Sequence, residues 1–258
     1  GDTLTEDLDL SYRAQLKNWK FKYLEDVETP AELPVVISAA RSQQFRWNKG
    51  GAENFRKSVW SVVSAKNISF KTKFHGVMHL LNSSMFLCVF LVALLSIPAM
   101  YIKANYLQLA WVFDALSFFL VSTIILFVCY WFTFKSIQGS NFDKFVDYIK
   151  VFFTFFSVAM GFSLHNTIAV LEGHMGKRSE FVRTPKFNLN GLTDSWKGNK
   201  YLTKKLSPNM ILEFGLMVYF LFGMYSAIPL NDFGLFPFHM MLFLGFGFVF
   251  TKSLTARV

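Results

Sequence analysis

Apolar and polar positions divide the chain near residue 75. Before it they alternate at short periods; after it come long, almost wholly apolar stretches. Four of these, roughly 76–102, 110–134, 210–230 and 233–251, approach the ~20 apolar residues that a bilayer core demands, and they predict membrane-spanning helices. The short turns KANYLQL and LNDFG join them as two hairpins. A fifth stretch, 151–171 (VFFTFFSVAMGFSLHNTIAVL), is apolar but broken by Ser, His and Asn. Ahead of the spans, TEDLDLSYRAQLKNW predicts a helix with Thr5 as N-cap and acids in its first turn, where they complement the helix dipole. KFKYLEDV, alternating Phe21, Tyr23 and Val27, predicts a short strand. ETPAELP is a connector marked by Pro30 and Pro34. Residues 35–65 carry a long amphipathic helical pattern.

Composition turns that pattern into a class. Hydrophobic residues make up 53% and aromatics 18%, with 32 Phe; charged residues make up 17%, against about 25% in soluble domains. An integral membrane protein with a polar part follows. The net charge of +9 would fit a nucleic-acid binder until the basic residues are located. Twelve lie in 1–75, three in 135–150, eight in 172–209 and two in the tail, and only Lys103 falls in the opposite loops. If 151–171 does not cross, this is the positive-inside asymmetry of a membrane protein, and no nucleic acid is needed to explain it. The segment 151–171 then lies at or dips into the interface, and the polar part and C-terminus are cytoplasmic. Cys88 and Cys129 lie in apolar runs without metal or redox spacing and are assigned to packing. The start GDTLTEDLDL has no signal-peptide pattern and reads as entry into the middle of a domain.

Three constellations carry candidate chemistry. The acidic turn Thr5-Glu6-Asp7-Leu8-Asp9 either complements the helix dipole or holds a carboxylate that accepts a proton from an incoming hydroxyl. In ARSQQFRWNKGG, Gln43, Arg46 and Trp47 share one helix face. Arg46 offers a bidentate clamp for a diphosphate and Trp47 a face for a sugar ring. The same stretch also reads, and on pattern alone more readily, as an interfacial helix with Trp as anchor and Lys49, Arg56 and Lys57 directed to lipid. In KRSEFVRTPKF, positive-inside charge explains the basic residues but not the ordered run Phe181, Thr184, Pro185, Lys186, where a hydroxyl and an ammonium beside a rigid proline can close over a phosphate. Within the spans, Asp114 and Glu213 lie near ends, where snorkelling is cheap. His79, Asn82 and His239 lie deeper and suit inter-helix hydrogen bonds; His165 and Asn166 are undecided.

In this order the three resemble family 2 glycosyltransferases of the membrane-embedded, processive type, such as cellulose synthases and cellulose-synthase-like mannan synthases. TEDLDLSYRAQLKNWKFKYLEDV looks like the catalytic TED segment. QQFRW matches Q-x-x-R-W. EFVRTPK looks like the gating loop F-x-V-T-x-K, with Arg183 in place of Val, and MGFSLHNTIAVLEG resembles the interfacial helix that precedes it. The resemblance implies Asp7, next to Glu6, as general base for inverting transfer of a hexose. It implies Gln43, Arg46 and Trp47 as holders of acceptor and donor diphosphate, and Phe181, Arg183, Thr184 and Lys186 as the loop that closes on the nucleotide. The partners implied are a UDP- or GDP-hexose, membrane lipids, and a polysaccharide or, in the variant, a lipid acceptor. The cofactor implied is a divalent cation, Mg or Mn, whose ligands lie in earlier aspartates, with no metal ligand in this chain. The expected architecture is a mainly α membrane protein. Residues 1–34 would be the C-terminal part of a GT-A type α/β catalytic domain, 35–75 an amphipathic interface region and 76–134 a transmembrane hairpin. Residues 135–171 would be interfacial, 172–209 the gating-type loop, and 210–258 a second hairpin with a cytoplasmic tail. On this reading the chain lacks about half of its catalytic domain and is inactive alone. A channel or transport component is the alternative from another class; it would favour inverted repeats with broken helices, and no internal repeat is found here.

Overall fold

The acidic turn predicted at the front does start a helix. In the computed structural model, which describes residues 2–184 and 209–255, α1 runs Glu6–Leu16 with Glu6, Asp7 and Asp9 in its first turn and Thr5 at the N-cap. The Thr5 side chain does not cap α1; its Oγ1 accepts a hydrogen bond from Asn54 Nδ2 at 2.9 Å. The predicted strand does not form. Residues 19–36 are extended or turning chain, and Phe21, Tyr23, Leu24 and Val27 are exposed. Alternation alone does not make a strand when no partner edge exists to pair its amides, and no strand occurs among the described residues. The described fold is therefore mostly helical, and an α/β part at 1–34 is not seen in it.

The amphipathic pattern at 35–65 becomes α2, Ile37–Ser64. α3 (Phe70–Leu80) follows, then a short 3-10 turn Asn82–Ser84, α4 (Met85–Asn105), α5 (Ala110–Ser117), α6 (Leu120–Gln138), α7 (Phe142–Gly161) and α8 (Ser163–Met175), and later α9 (Asn209–Ser226) and α10 (Phe236–Thr255). Four candidate spans emerge among the described residues: Asn82–Asn105, Leu107–Gln138, Asn209–Ser226 and Phe236–Thr255. The first begins later than its hydropathy suggested, because α3 is a separate helix that packs on α2. The stretch 151–171 is two helices interrupted at Phe162; taken together they give a fifth candidate span.

The chain divides into two compact units. One holds residues 1–90, 163–210 and 251–258, as far as they are described. Its core gathers Tyr12 of α1, Val62 of α2 and Leu80 of α3, flanked by Leu8, Phe55, Val59 and Val77. Burying aliphatic side chains of this size contributes about 1.5–3 kcal/mol each. Tyr12 adds directed bonds: its hydroxyl donates to Gly76 O at 2.9 Å and meets His79 Nδ1 at 2.8 Å. α8 lies along α2 in the same unit. The crossing is tight, since a Cβ on Gly173 would stand 2.6 Å from Lys49 O and 2.7 Å from Ala52 Cβ.

The other unit, residues 91–162 and 211–250, is apolar outside as well as inside, as lipid-facing helices are. Cys88 and Cys129 follow this pattern of the apolar helices: both are exposed, so neither is a packing residue. α6 meets α7 through aromatics, with Trp131 and Phe127 against Tyr148, whose hydroxyl donates to Phe127 O. Gly161 and Gly245 let α7 and α10 touch; a Cβ on Gly161 would lie 2.3 Å from Gly245 O. His239 is fully buried and pairs with Ser96 Oγ at 2.8 Å, as small and polar residues do between membrane helices. Glu213 does not snorkel: it is 1% exposed. Lys103, near the end of the first candidate span, is paired with Asp232 at 2.7 Å.

Candidate active site

α2 is the spine on which the three sequence constellations can be located. Two adjacent glycines inside a helix are unfavourable by about 1 kcal/mol each relative to Ala, and α2 has Gly50-Gly51 at its middle. Both are used for close approach. A Cβ on Gly50 would stand 2.5 Å from Thr5 Oγ1 and 2.8 Å from Thr5 N, and one on Gly51 would strike Ser83 Oγ. The acidic turn is thus seated directly on α2. Asn54 Nδ2 pins it by donating to Thr5 O and Oγ1, and Glu53 Oε2 accepts Leu4 N–H at 2.8 Å.

The two aspartates of the turn differ. Asp9 is buried and tied to Arg13 at 3.0 Å and Lys57 at 2.8 Å, so it is structural. Asp7 is exposed; its Oδ1 accepts Leu8 N–H, and it forms no ion pair among the described residues. Glu6 is exposed beside it. Lys57 also holds Asp2, which lowers the Asp2 carboxyl and raises the Lys57 ammonium from their ordinary values.

One turn earlier on α2, Gln43 and Arg46 are half-buried and Trp47 is 49% exposed. The Arg46 guanidinium lies over the Phe181 ring at 5.0 Å. Residues far apart in sequence, one from QQFRW and one from EFVRTPK, therefore meet. A ring face under a guanidinium favours the cation and leaves its N–H edge for other partners. Arg46 Nε and Thr184 Oγ1 are both buried without a hydrogen-bond partner among the described residues. Orphaned polar atoms of this kind are rare, and an oxyanion is a partner that either donor could take. Arg183 is exposed, and Lys186 lies outside the described residues.

The assignment of Lys49 to the lipid face is corrected. It is 0% exposed, and its Nζ meets Glu172 Oε2 at 3.0 Å and Ser179 Oγ at 2.5 Å. Glu172 also takes a bond from Lys177. Burial alone would raise the Glu172 carboxyl, but the bonds from Lys177 and Lys49 hold it below its usual range. Sequence reasoning missed this cluster, and no local pattern signals it. His165 Nε2 bonds Arg41 O at 3.0 Å, and His174 Nε2 meets Ser84 Oγ at 2.8 Å. Burial pushes both imidazoles down. A cleft of about 660 Å³ beside this region is lined by Asp2, Glu53, Arg56, Lys57, Arg178 and Phe181 among others. Among the described residues no group of three or more His, Cys, Asp or Glu side chains is placed to hold a metal ion. With Asp9 committed to Arg13 and Lys57, these residues do not fit a divalent cation.

Comparison with known proteins finds the family that the sequence resembles. Residues 1–135 match the family described as Glycosyl transferase family group 2. The chain is 28% identical over 243 residues to glucomannan 4-beta-mannosyltransferase 9 of Arabidopsis thaliana, covering 87% of this chain and 40% of that protein. It is 44% identical over 73 residues to probable glucomannan 4-beta-mannosyltransferase 2 of Oryza sativa subsp. japonica, covering 28% of this chain and 13% of that protein. The rice probable glucomannan 4-beta-mannosyltransferase 7 is 48% identical over 73 residues, 28% of this chain and 12% of that protein. The chain thus spans less than half the length of these curated relatives. No solved structure gives a significant match.

Proposed function

The chain belongs to glycosyl transferase family group 2, and from that premise we propose that it is the C-terminal portion of an inverting, processive β-hexosyltransferase of the cellulose-synthase-like type. The Arg46–Phe181 contact carries this reading, because it joins the Q-x-x-R-W helix to the loop that the resemblance assigns to donor closure. The relatives' names, all 4-beta-mannosyltransferases, favour a mannosyl donor. The growing polysaccharide is extended at the cytoplasmic face and passes between the helices.

In the proposed reaction Asp7 takes the proton of the acceptor hydroxyl as that oxygen attacks the anomeric carbon. The bond from that carbon to the diphosphate oxygen breaks, the nucleoside diphosphate leaves, and the configuration inverts. Arg46, with its ring-backed guanidinium and free Nε, stabilises the negative charge that develops on the leaving group, where a preorganised donor is most effective. Gln43 and the exposed face of Trp47 orient the acceptor sugar, and proximity of hydroxyl to base supplies much of the acceleration. Thr184, Lys186 and Arg183 close on the nucleotide, with Phe181 as their fixed point. The divalent cation that the resemblance implies would be held by residues other than these.

The test uses the full-length protein in membranes with a radiolabelled nucleotide sugar. Ethanol-insoluble product is expected, and Asp7→Asn abolishes it while leaving membrane insertion intact. Chloroform-soluble product would mean a lipid acceptor. Undiminished transfer by Asp7→Asn would remove the base assignment.

A further inference from the structure

The reaction above leaves Lys49 without a task, although its position is costly. It sits two residues past Trp47 on α2 and is 0% exposed. Carrying an ammonium out of water is repaid only by close partners, and an apolar residue of similar volume would pack there without that penalty. Its partners lie on two different parts of the chain. Glu172 is in the last turns of α8, and Ser179 is in the segment that leaves α8. Glu172 completes the clasp from the other side, with Oε2 on Lys49 and Oε1 on Lys177 of the same segment. Two residues beyond Ser179 comes Phe181, which backs the Arg46 guanidinium. One carboxylate thus ties the spine helix, α8 and the first residues of the loop.

We propose that Glu172 is a positioning residue for the donor site. Through Lys49 and Lys177 it fastens the 177–181 segment to α2, and so sets Phe181 against Arg46, the group that grips the nucleotide's diphosphate. This rests on the reading of Arg46 as the diphosphate-binding group. Glu172 touches no substrate; it acts through Lys49 and Phe181.

The test compares wild type, Glu172→Gln and the double variant Lys49→Met/Glu172→Gln in the full-length protein in lipid nanodiscs. The double variant removes the buried charge together with its partner, so it folds where the single variant leaves Lys49 unpaired. Trypsin cleavage after Lys177 and Arg178, followed by mass spectrometry without any substrate, is expected to rise about tenfold in both variants, because cleavage tracks the population of the released segment. Donor KM is expected to rise and kcat/KM to fall about 10- to 100-fold, with acceptor KM and the double variant's thermal midpoint unchanged. Unchanged cleavage in both variants overturns the clasp. Faster cleavage with an unchanged donor KM overturns its positioning role. If wild type transfers no sugar at all, the proposed function fails, while the cleavage result still decides the clasp.

Discussion

Gly50→Ala tests whether α2 holds the acidic turn in register. The added Cβ would lie 2.5 Å from Thr5 Oγ1, 2.7 Å from its Cγ2 and 2.8 Å from its backbone N, against ordinary contact at 3.4–4 Å. Rotating the Thr5 side chain clears the first two atoms but not the third, so the turn itself must withdraw by about 1 Å. The Asn54 bonds to Thr5 O and Oγ1, now 3.2 and 2.9 Å, would stretch to about 4 Å, beyond hydrogen-bond range. Stability should fall by about 2–4 kcal/mol, because the roughly 1 kcal/mol the helix gains from Ala over Gly is outweighed by overpacking of about 1–3 kcal/mol and by the two stretched Asn54 bonds, about 1 kcal/mol each. The rate of the folded enzyme should fall as well, since a displacement of about 1 Å at a reacting group costs about 100-fold. The assay is initial-rate transfer by the full-length enzyme in membranes, with the thermal midpoint measured alongside. A fall in kcat with a nearly constant donor KM is expected, because Arg46 and Phe181 are untouched. Gly215→Ala, where nothing lies within 4 Å, is the control. A kcat for Gly50→Ala within about threefold of wild type would refute the claim that this seat positions the base.

Two further expectations follow from the same site. Arg46→Lys keeps the charge but loses the planar fork and its stacking on Phe181; kcat/KM should fall about 10- to 100-fold, and wild-type kinetics in this variant would remove the diphosphate role. Acid should loosen the α2–α8 unit. His165 and His174 are held below the ordinary imidazole value of 6.5 by burial, so the unfolded chain binds more protons just below that pH, and stability falls as pH drops through it. Glu172, held below 4.5, adds its own loss only at still lower pH. The thermal midpoint should therefore be flat above about pH 7 and decline towards about pH 5, with a shallower decline in His174→Gln; a flat profile in wild type would contradict the burial argument.

Much of the helical framework was legible because periodicity and hydropathy are local signals. Thr5 at the head of α1, the continuous α2 and four apolar spans all come from them. What was misread depends on partners distant in sequence. The alternation in KFKYLEDV met no strand to pair with. Lys49 looked like one more cation on an amphipathic helix, and its partner Glu172 stands 123 residues away. Glu213 looked free to reach the headgroups, yet it is buried. The cysteines fail for a different reason: in a lipid-facing helix an apolar neighbourhood in sequence does not mean the inside of the protein. Of the candidate site, residue types were readable, whereas the meeting of Arg46 with Phe181 depends on α8 crossing α2 at Gly173.

That crossing explains why one helix can serve both ends of the proposed reaction. Arg46 and Gly50 are one turn apart, so the diphosphate grip and the seat of the acidic turn are separated by about 6 Å along α2 at 1.5 Å per residue. A helix holds such a separation more rigidly than a loop does. The acidic turn is fixed to this ruler by Gly50 and Asn54, and the closing segment by Lys49 and Glu172. Substitutions at these four anchors should therefore impair the reaction by spoiling its geometry, without removing any group that touches the sugar.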